Sequence, residues 1–309
     1  MINNHCSEHS HLRLFTAQKE RLFAIAYQML GTFHEAEDVL QEVYIQWQSM
    51  NLERVDLPEA MLTTLTIRRA TDMFRKASRQ REVYIGPWLP GPWIEQSADP
   101  SSHSNEPDLQ VQLADSLSIG FMIMLERLTA SERAVYILRS GFDMSYREIA
   151  ESLAVTEVNC RQIYSRAKSR LKASSKEAQN TDNHESLLQK FIHAIETEDV
   201  SGFARELAKD VILYSDGGGK VNSALRPIYN REKVTRLLRG LAKKWRRIGP
   251  KFRMLSVNAR PGLLWMDSED VRTVVSLESR RGKVEAIYLI RNPDKISHIK
   301  NRLQQPLDN

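Results

Sequence analysis

The 309-residue chain holds only two cysteines, Cys6 near the amino terminus and Cys160 inside a helical pattern. Two thiols so placed exclude a disulfide framework and a cysteine metal site, and they suit a reducing compartment. No run of about 18 apolar residues occurs, so no membrane span is expected. The opening residues, with His5, Glu8, His9 and His11, lack the apolar segment of an export signal and read as a polar, disordered terminus rather than a metal site. These absences together imply a cytoplasmic protein needing no metal, cofactor or membrane. Internal repeats and long low-complexity tracts are missing too. The one glycine cluster, Gly217 to Gly219, is not followed by the residues with which a phosphate loop grips a nucleotide.

What is present is charge, unevenly spread. Lys and Arg outnumber Asp and Glu by 44 to 39, giving a net charge of +5 and a pI near 9.1, a balance that suits an anionic partner. The most informative stretch runs from Glu126 to Leu171. Thr129-Ala-Ser-Glu132 has the form of a capping box and opens a helix with Val135 and Leu138 on one face. Ser145-Tyr-Arg-Glu148 opens a second helix with Ile149, Ala150 and Leu153 inward, and Thr156 caps a third. That third helix is expected to bury Cys160, Tyr164, Ala167 and Leu171, which leaves Arg161, Gln162, Ser165, Arg166 and Lys168 to solvent. Arg and Gln pair with base edges in a major groove, whereas Lys168, Arg170 and Lys172 suit phosphates. The pattern is a DNA-reading helix-turn-helix, although the turn reads Leu153-Ala154-Val155 where Gly is common. A merely solvated basic helix is the bland alternative, and the capped helices before it weigh against that.

Upstream, from about Leu12 to Arg81, the pattern is helical. Ala36, Val39, Leu40, Val43, Tyr44 and Trp47 fall on one buried stripe, and Glu35, Glu37, Asp38, Gln41 and Glu42 project as an acidic face suited to a basic protein partner. After Leu57-Pro58 a long helix carries Arg68, Arg69, Arg75, Lys76, Arg79 and Arg81 against only Asp72 and Glu82, a surface fit for phosphates. Gly86-Pro-Trp-Leu-Pro-Gly-Pro-Trp93 then announces a linker. Val83 to Glu126 holds six acidic residues and no Lys or Arg, and Trp88 and Trp93 are costly to leave in water, which favours docking on some surface. Beyond Asn183, an amphipathic helix over Leu187 to Ile195 and a strand over Val211 to Tyr214 lead to Asp216-Gly-Gly-Gly-Lys220. A helix over Glu232 to Trp245 follows, then strands over Met254 to Ala259, Leu263 to Met266, Val271 to Leu277 and Val284 to Ile290. Pro261-Gly262 is among the expected turns, and the whole reads as an antiparallel α+β meander.

Leu22-Phe-Ala-Ile-Ala-Tyr-Gln-Met-Leu-Gly31 and Ala36-Glu-Asp-Val-Leu-Gln-Glu42 with Trp47 resemble region 2 of extracytoplasmic-function sigma factors, and Leu125 to Leu171 resembles their region 4. Trp88-Leu89-Pro90-Gly-Pro92, Asp216-Gly217-Gly218-Gly219-Lys220 and Asn292-Pro293-Asp294-Lys295-Ile296 look like the signatures of the subfamily with a fused SnoaL-like domain. Gly91 stands here for a usual Glu and Ile296 for a usual Leu. The resemblance implies a multidomain chain: region 2 over 10–85, a linker over 86–115, region 4 over 116–175, and over 184–300 an α+β cone-shaped domain with a curved antiparallel sheet. It further implies that Asp38, Gln41 and Glu42 bind core RNA polymerase. The helix of Arg68, Arg69, Arg75, Lys76 and Arg79 would engage the promoter −10 element near a base pocket around Leu57 to Thr64. Arg161, Gln162, Ser165 and Arg166 would read the −35 element with Lys168 and Arg170 on the backbone, and the acidic linker would thread polymerase channels built for nucleic acid. The third domain would regulate the sigma regions in cis by intramolecular contact, with a small-molecule ligand left open.

SnoaL-like folds include isomerases, and His193, Asp199 and Asp216 are the available acid or base candidates, read here as caps, turns or surface rather than catalysts. A stand-alone regulator would need neither the acidic helix nor the linker signature, and an enzyme lacks a convincing constellation. One feature is left over. Between Arg231 and Arg253 ten residues are Lys or Arg and only Glu232 is acidic, so this helix is either a solvated face or a docking surface for the acidic linker or the acidic face of region 2.

Overall fold

A computed structural model describes residues 2–94, 117–172, 184–249, 251–268 and 270–304, so the acidic residues from Glu95 to Asp115 lie outside it. The chain forms two units, residues 1–82 with 124–174, and residues 83–123 with 175–309.

The described residues of the first unit form helices and the turns between them, with no strand among them. Helix α1 (Ile2–Leu30) begins ten residues before the expected start, so the predicted disordered terminus is drawn as helix. His11 is a core residue: it is 3 % exposed, its Nε2 lies 3.0 Å from the Met50 carbonyl, and its own carbonyl accepts from Trp47 Nε1 at 3.1 Å. Thr32 caps α2 (Phe33–Gln48), which buries Phe33, Ala36, Val39, Leu40, Val43 and Trp47. Helix α3 (Pro58–Arg81) starts on Pro58, whose missing N–H would have no partner there anyway. Helix α4 (Ile119–Leu125), most of which belongs to the second unit, leads into α5 (Ala130–Ser140), α6 (Tyr146–Leu153) and α7 (Glu157–Lys172). Both predicted capping boxes form, and Thr156 Oγ1 accepts from Asn159 N at 3.2 Å. In the turn Ala154 takes φ +54°, the left-handed conformation for which glycine is usual. The buried stripe of α7 is Cys160, Ile163, Ala167 and Leu171, so Ile163 replaces the expected Tyr164, which is half-buried beside Tyr136 and Tyr146. Ile25 of α1 and Ile67 of α3 share one core with Val135, Leu138, Ile149, Cys160 and Ile163, so the two helical regions pack as a single body.

The second unit is built on six strands, β1 (Leu207–Asp216), β2 (Ile228–Tyr229), β3 (Lys251–Val257), β4 (Arg260–Asp267), β5 (Asp270–Arg280) and β6 (Lys283–Ile290), in the order β2-β1-β6-β5-β4-β3. Four of the five pairs are antiparallel. The β1 to β6 pair is parallel, because the chain runs through a helix and the whole β3 to β5 meander before returning beside β1; the sheet expected to be antiparallel is therefore mixed. Register shifts at Leu207/Ile212, Trp265/Met266 and Glu278/Ser279 are bulges, which bend strands. Helices α8 (His184–Thr197), α9 (Ser201–Glu206) and α10 (Arg231–Arg246) cover one face, and Trp245 stacked on Trp265 at 4.6 Å with Phe191 edge-on to Phe203 at 5.4 Å fills the space between. Leu89, Ile94, Ile119 and α11 (Pro293–Gln304) cover the other face, over Val257, Leu264, Val274, Ala286, Tyr288 and Ile290. The turn expected at Pro261-Gly262 falls instead at Asn258-Ala259, whose φ of +55° and +58° suits a tight hairpin, and Pro261 pairs with Ser256 inside the ladder.

Candidate functional site

Two groups of functional candidates emerge, one in each unit. In the helical unit the α7 residues Arg161, Gln162, Ser165, Arg166 and Lys168 are all exposed, as the stripe on the opposite side requires. Arg161 is partly engaged, paired with Glu157 and lying 4.9 Å above the Tyr146 ring. Arg170, assigned to phosphates, instead bonds Glu132 at 2.5 Å, which ties the end of α7 to the start of α5. Asp38, Gln41 and Glu42 are exposed on α2, and Glu42 pairs with Arg69 of α3, so a polymerase candidate and a DNA candidate neutralise one another in this state.

The basic face of α3 divides. Arg75 pairs with Asp72 at 2.8 Å, and Lys76 and Arg79 stand exposed. Arg68 donates from Nε to the Ser152 carbonyl at 2.9 Å, while Thr64 and Ser152 hydroxyls meet at 3.1 Å. A guanidinium there satisfies a carbonyl at the carboxyl end of α6 and complements its dipole. Arg81 does not face phosphate: it is turned inward, bonding Glu126 at 2.6 and 2.8 Å, the Leu30 carbonyl and, at 3.5 Å, Glu35. Glu126 also pairs with Arg133, which is fully buried, donates to the Gln28 carbonyl at 2.8 and 3.0 Å and lies 4.7 Å over the Phe74 ring. Burial pushes the Glu126 carboxyl up, but Arg133 and Arg81 outweigh it and hold it below its ordinary value. The signal for Arg133 was in the sequence, since it sits on the apolar stripe of α5 beside Ala134 and Ile137.

In the second unit the three sequence signatures meet at one carboxylate. Asp216 ends β1 with no exposure; its Oδ1 accepts from Tyr84 Oη at 2.6 Å and Gly218 N at 3.0 Å, and its Oδ2 from Leu89 N at 2.9 Å and Lys295 Nζ at 2.7 Å. The Lys295 ammonium also donates to the Leu89 carbonyl and lies 4.3 and 4.9 Å from the Trp88 and Tyr84 rings, so its charge is met by carboxylate, carbonyl and two π faces. Pro90 is buried beside Leu89. Asn292 donates to Tyr84 Oη at 2.8 Å and caps Asp294 N at 3.1 Å; it opens α11 with Pro293 in the first helical position. Burial and the bond to Asp216 raise the Tyr84 phenol far above its ordinary range, so it stays a donor. Gly218, at φ +61°, leaves 2.4 Å between a would-be Cβ and the Asn292 amide, and a Cβ on Gly217 would come within 2.4 Å of the Val221 carbonyl. Lys220 pairs with Asp294 at 2.6 Å on the surface.

A second pin lies at Asn258. It accepts from Trp93 N at 3.1 Å, donates its own N–H to the Trp93 carbonyl at 2.8 Å, and gives Nδ2 to the Leu117 carbonyl at 2.9 Å, so both ends of residues 95–116 are held by one side chain. His298 lies 3.2 Å from the Pro92 carbonyl. Tyr84, Asn258 and His298 were not identified in the sequence; each contact spans well over a hundred residues and has no local pattern. The acid and base candidates do not assemble: His193 is exposed on α8, Asp199 caps Ser201 N at 3.0 Å, and Asp216 is committed to Lys295. A cavity of about 10 Å³ near Ser118, Arg260, Glu278 and Tyr288 has room for one water. Among the described residues no helix is long and apolar enough to cross a membrane, and no His, Cys, Asp and Glu group could hold a metal.

Comparison with known proteins accounts for both units. Residues 14–80 match the model of sigma-70 region 2, and residues 121–171 that of sigma-70 region 4. The chain is 30% identical over 307 residues to the extracytoplasmic-function RNA polymerase sigma factor SigJ of Mycobacterium tuberculosis, covering 94% of this chain and 96% of that protein. It is 25% identical over 294 residues to the probable sigma factor SigI of the same species, covering 93% and 95%. The crystal structure of M. tuberculosis SigJ superposes with a TM-score of 0.72 at 27% identity, covering 93% of this chain and 98% of that one. The chain belongs to the extracytoplasmic-function RNA polymerase sigma factors, transcription initiation factors that bind core RNA polymerase and promoter DNA and are not enzymes.

Proposed function

We propose that this sigma factor is controlled in cis by its carboxy-terminal α+β domain and works in the cytoplasm. One observation carries the reading: residues 84–94, which leave region 2, and residues 117–123, which enter region 4, are bound by residues of the carboxy-terminal sheet and by Lys295 and His298 of α11. In this reading the two described ends of the path between the promoter-reading regions belong to the regulatory domain. Any event that loosens the Asp216 centre or the Asn258 pin lengthens the free chain between regions 2 and 4.

Within this reading Arg161, Gln162, Ser165 and Arg166 read the −35 element and Lys168 holds its backbone. Arg69, Arg75, Lys76 and Arg79, joined by Arg68 once it leaves the α6 carbonyls, engage the −10 element. Asp38, Gln41 and Glu42 dock on core polymerase once Arg69 releases Glu42. The exposure of these side chains, with Arg69 half-buried against Glu42, supports the assignment. Promoter-specific transcription with core RNA polymerase tests the control: the full chain carrying Asp216→Asn or Lys295→Met is expected to change transcript yield at least threefold with the same start site, the sign showing restraint or assistance. Equal yields from both variants and the unaltered chain rule out cis control through this centre.

A further inference from the structure

Helix α10 carries more positive charge than the chain as a whole. Residues 231–253 hold ten Lys or Arg against one Glu, a net of nine positive charges where the entire protein carries five, so everything outside this stretch is net acidic. The helix buries Val234, Thr235, Leu238, Ala242 and Trp245, which fixes its opposite side to solvent. Lys233, Arg236, Arg239, Lys243, Lys244 and Arg247 are exposed there and have no ion-pair partner among the described residues, while Arg246 pairs with Glu198 and Arg231 is turned toward the Leu207 carbonyl. Their spacing of three and four residues makes one continuous stripe. A sixteen-residue helix is about 24 Å long at 1.5 Å per residue.

We infer that this stripe is a third DNA-binding element that holds the phosphate backbone of duplex DNA without reading bases. Charge complementarity is the first argument: a row of unpaired cations is costly to hold together through mutual repulsion, and a polyanion with a charge about every 1.7 Å of its axis relieves it. Tethering is the second. Only eleven residues, 173–183, separate α7 from α8, a contour of at most about 40 Å, so a promoter held by region 4 is presented to the third domain at high effective concentration. The rival occupant is an acidic protein segment, because Ile228, Leu237 and Leu241 floor a shallow groove rimmed by Lys233, Arg236 and Lys244. Arg239, Lys243 and Arg247 lie outside that groove, and the stripe runs the length of the helix, which a backbone contact explains and a groove-bound peptide does not. This inference is independent of cis control through Asp216.

The test uses the full chain and a 30-base-pair duplex lacking promoter elements, titrated across a salt series. Replacing Arg236, Arg239, Lys243 and Lys244 together by Ala, the residue that best preserves a helix, is expected to weaken binding at least tenfold at low salt. Each lost phosphate contact flattens the log–log salt dependence by about 0.9, so the slope should fall by about 3 to 4. Arg236→Lys with Arg239→Lys keeps the charge and should leave affinity within about twofold, with circular dichroism confirming that α10 stays folded. Unchanged affinity and slope in the Ala variant overturn the inference, as does unchanged DNA binding with loss of core-polymerase binding, which would assign the stripe to a protein.

Discussion

Asp216 and Lys295 show what a buried ion pair requires. Carboxylate and ammonium are 0 % and 6 % exposed, and at that depth the attraction offsets desolvation only if the remaining lone pairs and protons are also met. They are met by Tyr84, Leu89 and Gly218 on one side and by the Leu89 carbonyl and two aromatic faces on the other. Lys295→Met leaves the buried carboxylate hydrogen-bonded but without a counter-charge, so urea unfolding of the carboxy-terminal unit is expected to show a loss of about 3–5 kcal/mol. Asp216→Asn on top of Lys295→Met removes the orphan charge, and the double variant should regain at least 1 kcal/mol or so. A double variant no better than the single one would mean that the pair is not coupled.

At the scale of helices, the carboxylate Glu126 links α3 to α5. Its burial pushes the carboxyl up, and the stronger pull of Arg133 and Arg81 leaves it below its ordinary 4.5. A carboxyl whose folded value is depressed stabilises fully above its unfolded value, and that stabilisation is lost as pH falls through the folded one. The helical unit should therefore unfold at progressively lower temperature below about pH 4.5, and Glu126→Gln should cost about 3 kcal/mol at neutral pH and flatten that dependence. An equally steep acid limb in the variant would remove Glu126 from the account. On α7, Arg166→Ala should cost about 1–3 kcal/mol of −35 affinity and relax preference at one base pair, while Lys168→Ala should weaken all sequences alike and cut the salt slope by about one. Fluorescence anisotropy on matched and mismatched duplexes separates the two. Periodicity and capping made these helices legible, and Thr129, Ser145 and Thr156 form the caps that their sequence announces. What periodicity lacks is partner identity. Arg68 and Arg81 look like Arg75 in sequence, yet one satisfies the α6 carbonyls and one is buried against Glu126, because distant carboxylates and carbonyls decide where an Arg is satisfied. The Trp88, Asp216 and Asn292 motifs were visible as separate signatures, but their meeting depends on contacts 74 to 206 residues apart.

For the molecule as a whole, the division between units does not follow the order of the sequence. The chain leaves the helical unit at Glu82 and returns at Met124, and what lies between belongs with the sheet. Local opening follows such cooperative bodies, so the linker amides should exchange with the free energy of the unit that holds them. Leu89 N–H is buried and donated to Asp216, and Asn258 N–H is buried and donated to the Trp93 carbonyl. Hydrogen exchange read by mass spectrometry or NMR is then expected to give Leu89 and Asn258 the protection of β6 amides such as Ile287 and Leu289, with all of them losing protection in step as urea is added, while α3 follows the helical unit's own transition. Asp216→Asn weakens the acceptor of the Leu89 bond and should speed exchange at Leu89 about tenfold for each 1.4 kcal/mol lost, leaving Ile67 and Leu138 unchanged. Protection at Leu89 that tracks α3 instead of β6 would show that the linker opens with region 2, and cis control through the Asp216 centre would lose its mechanical basis.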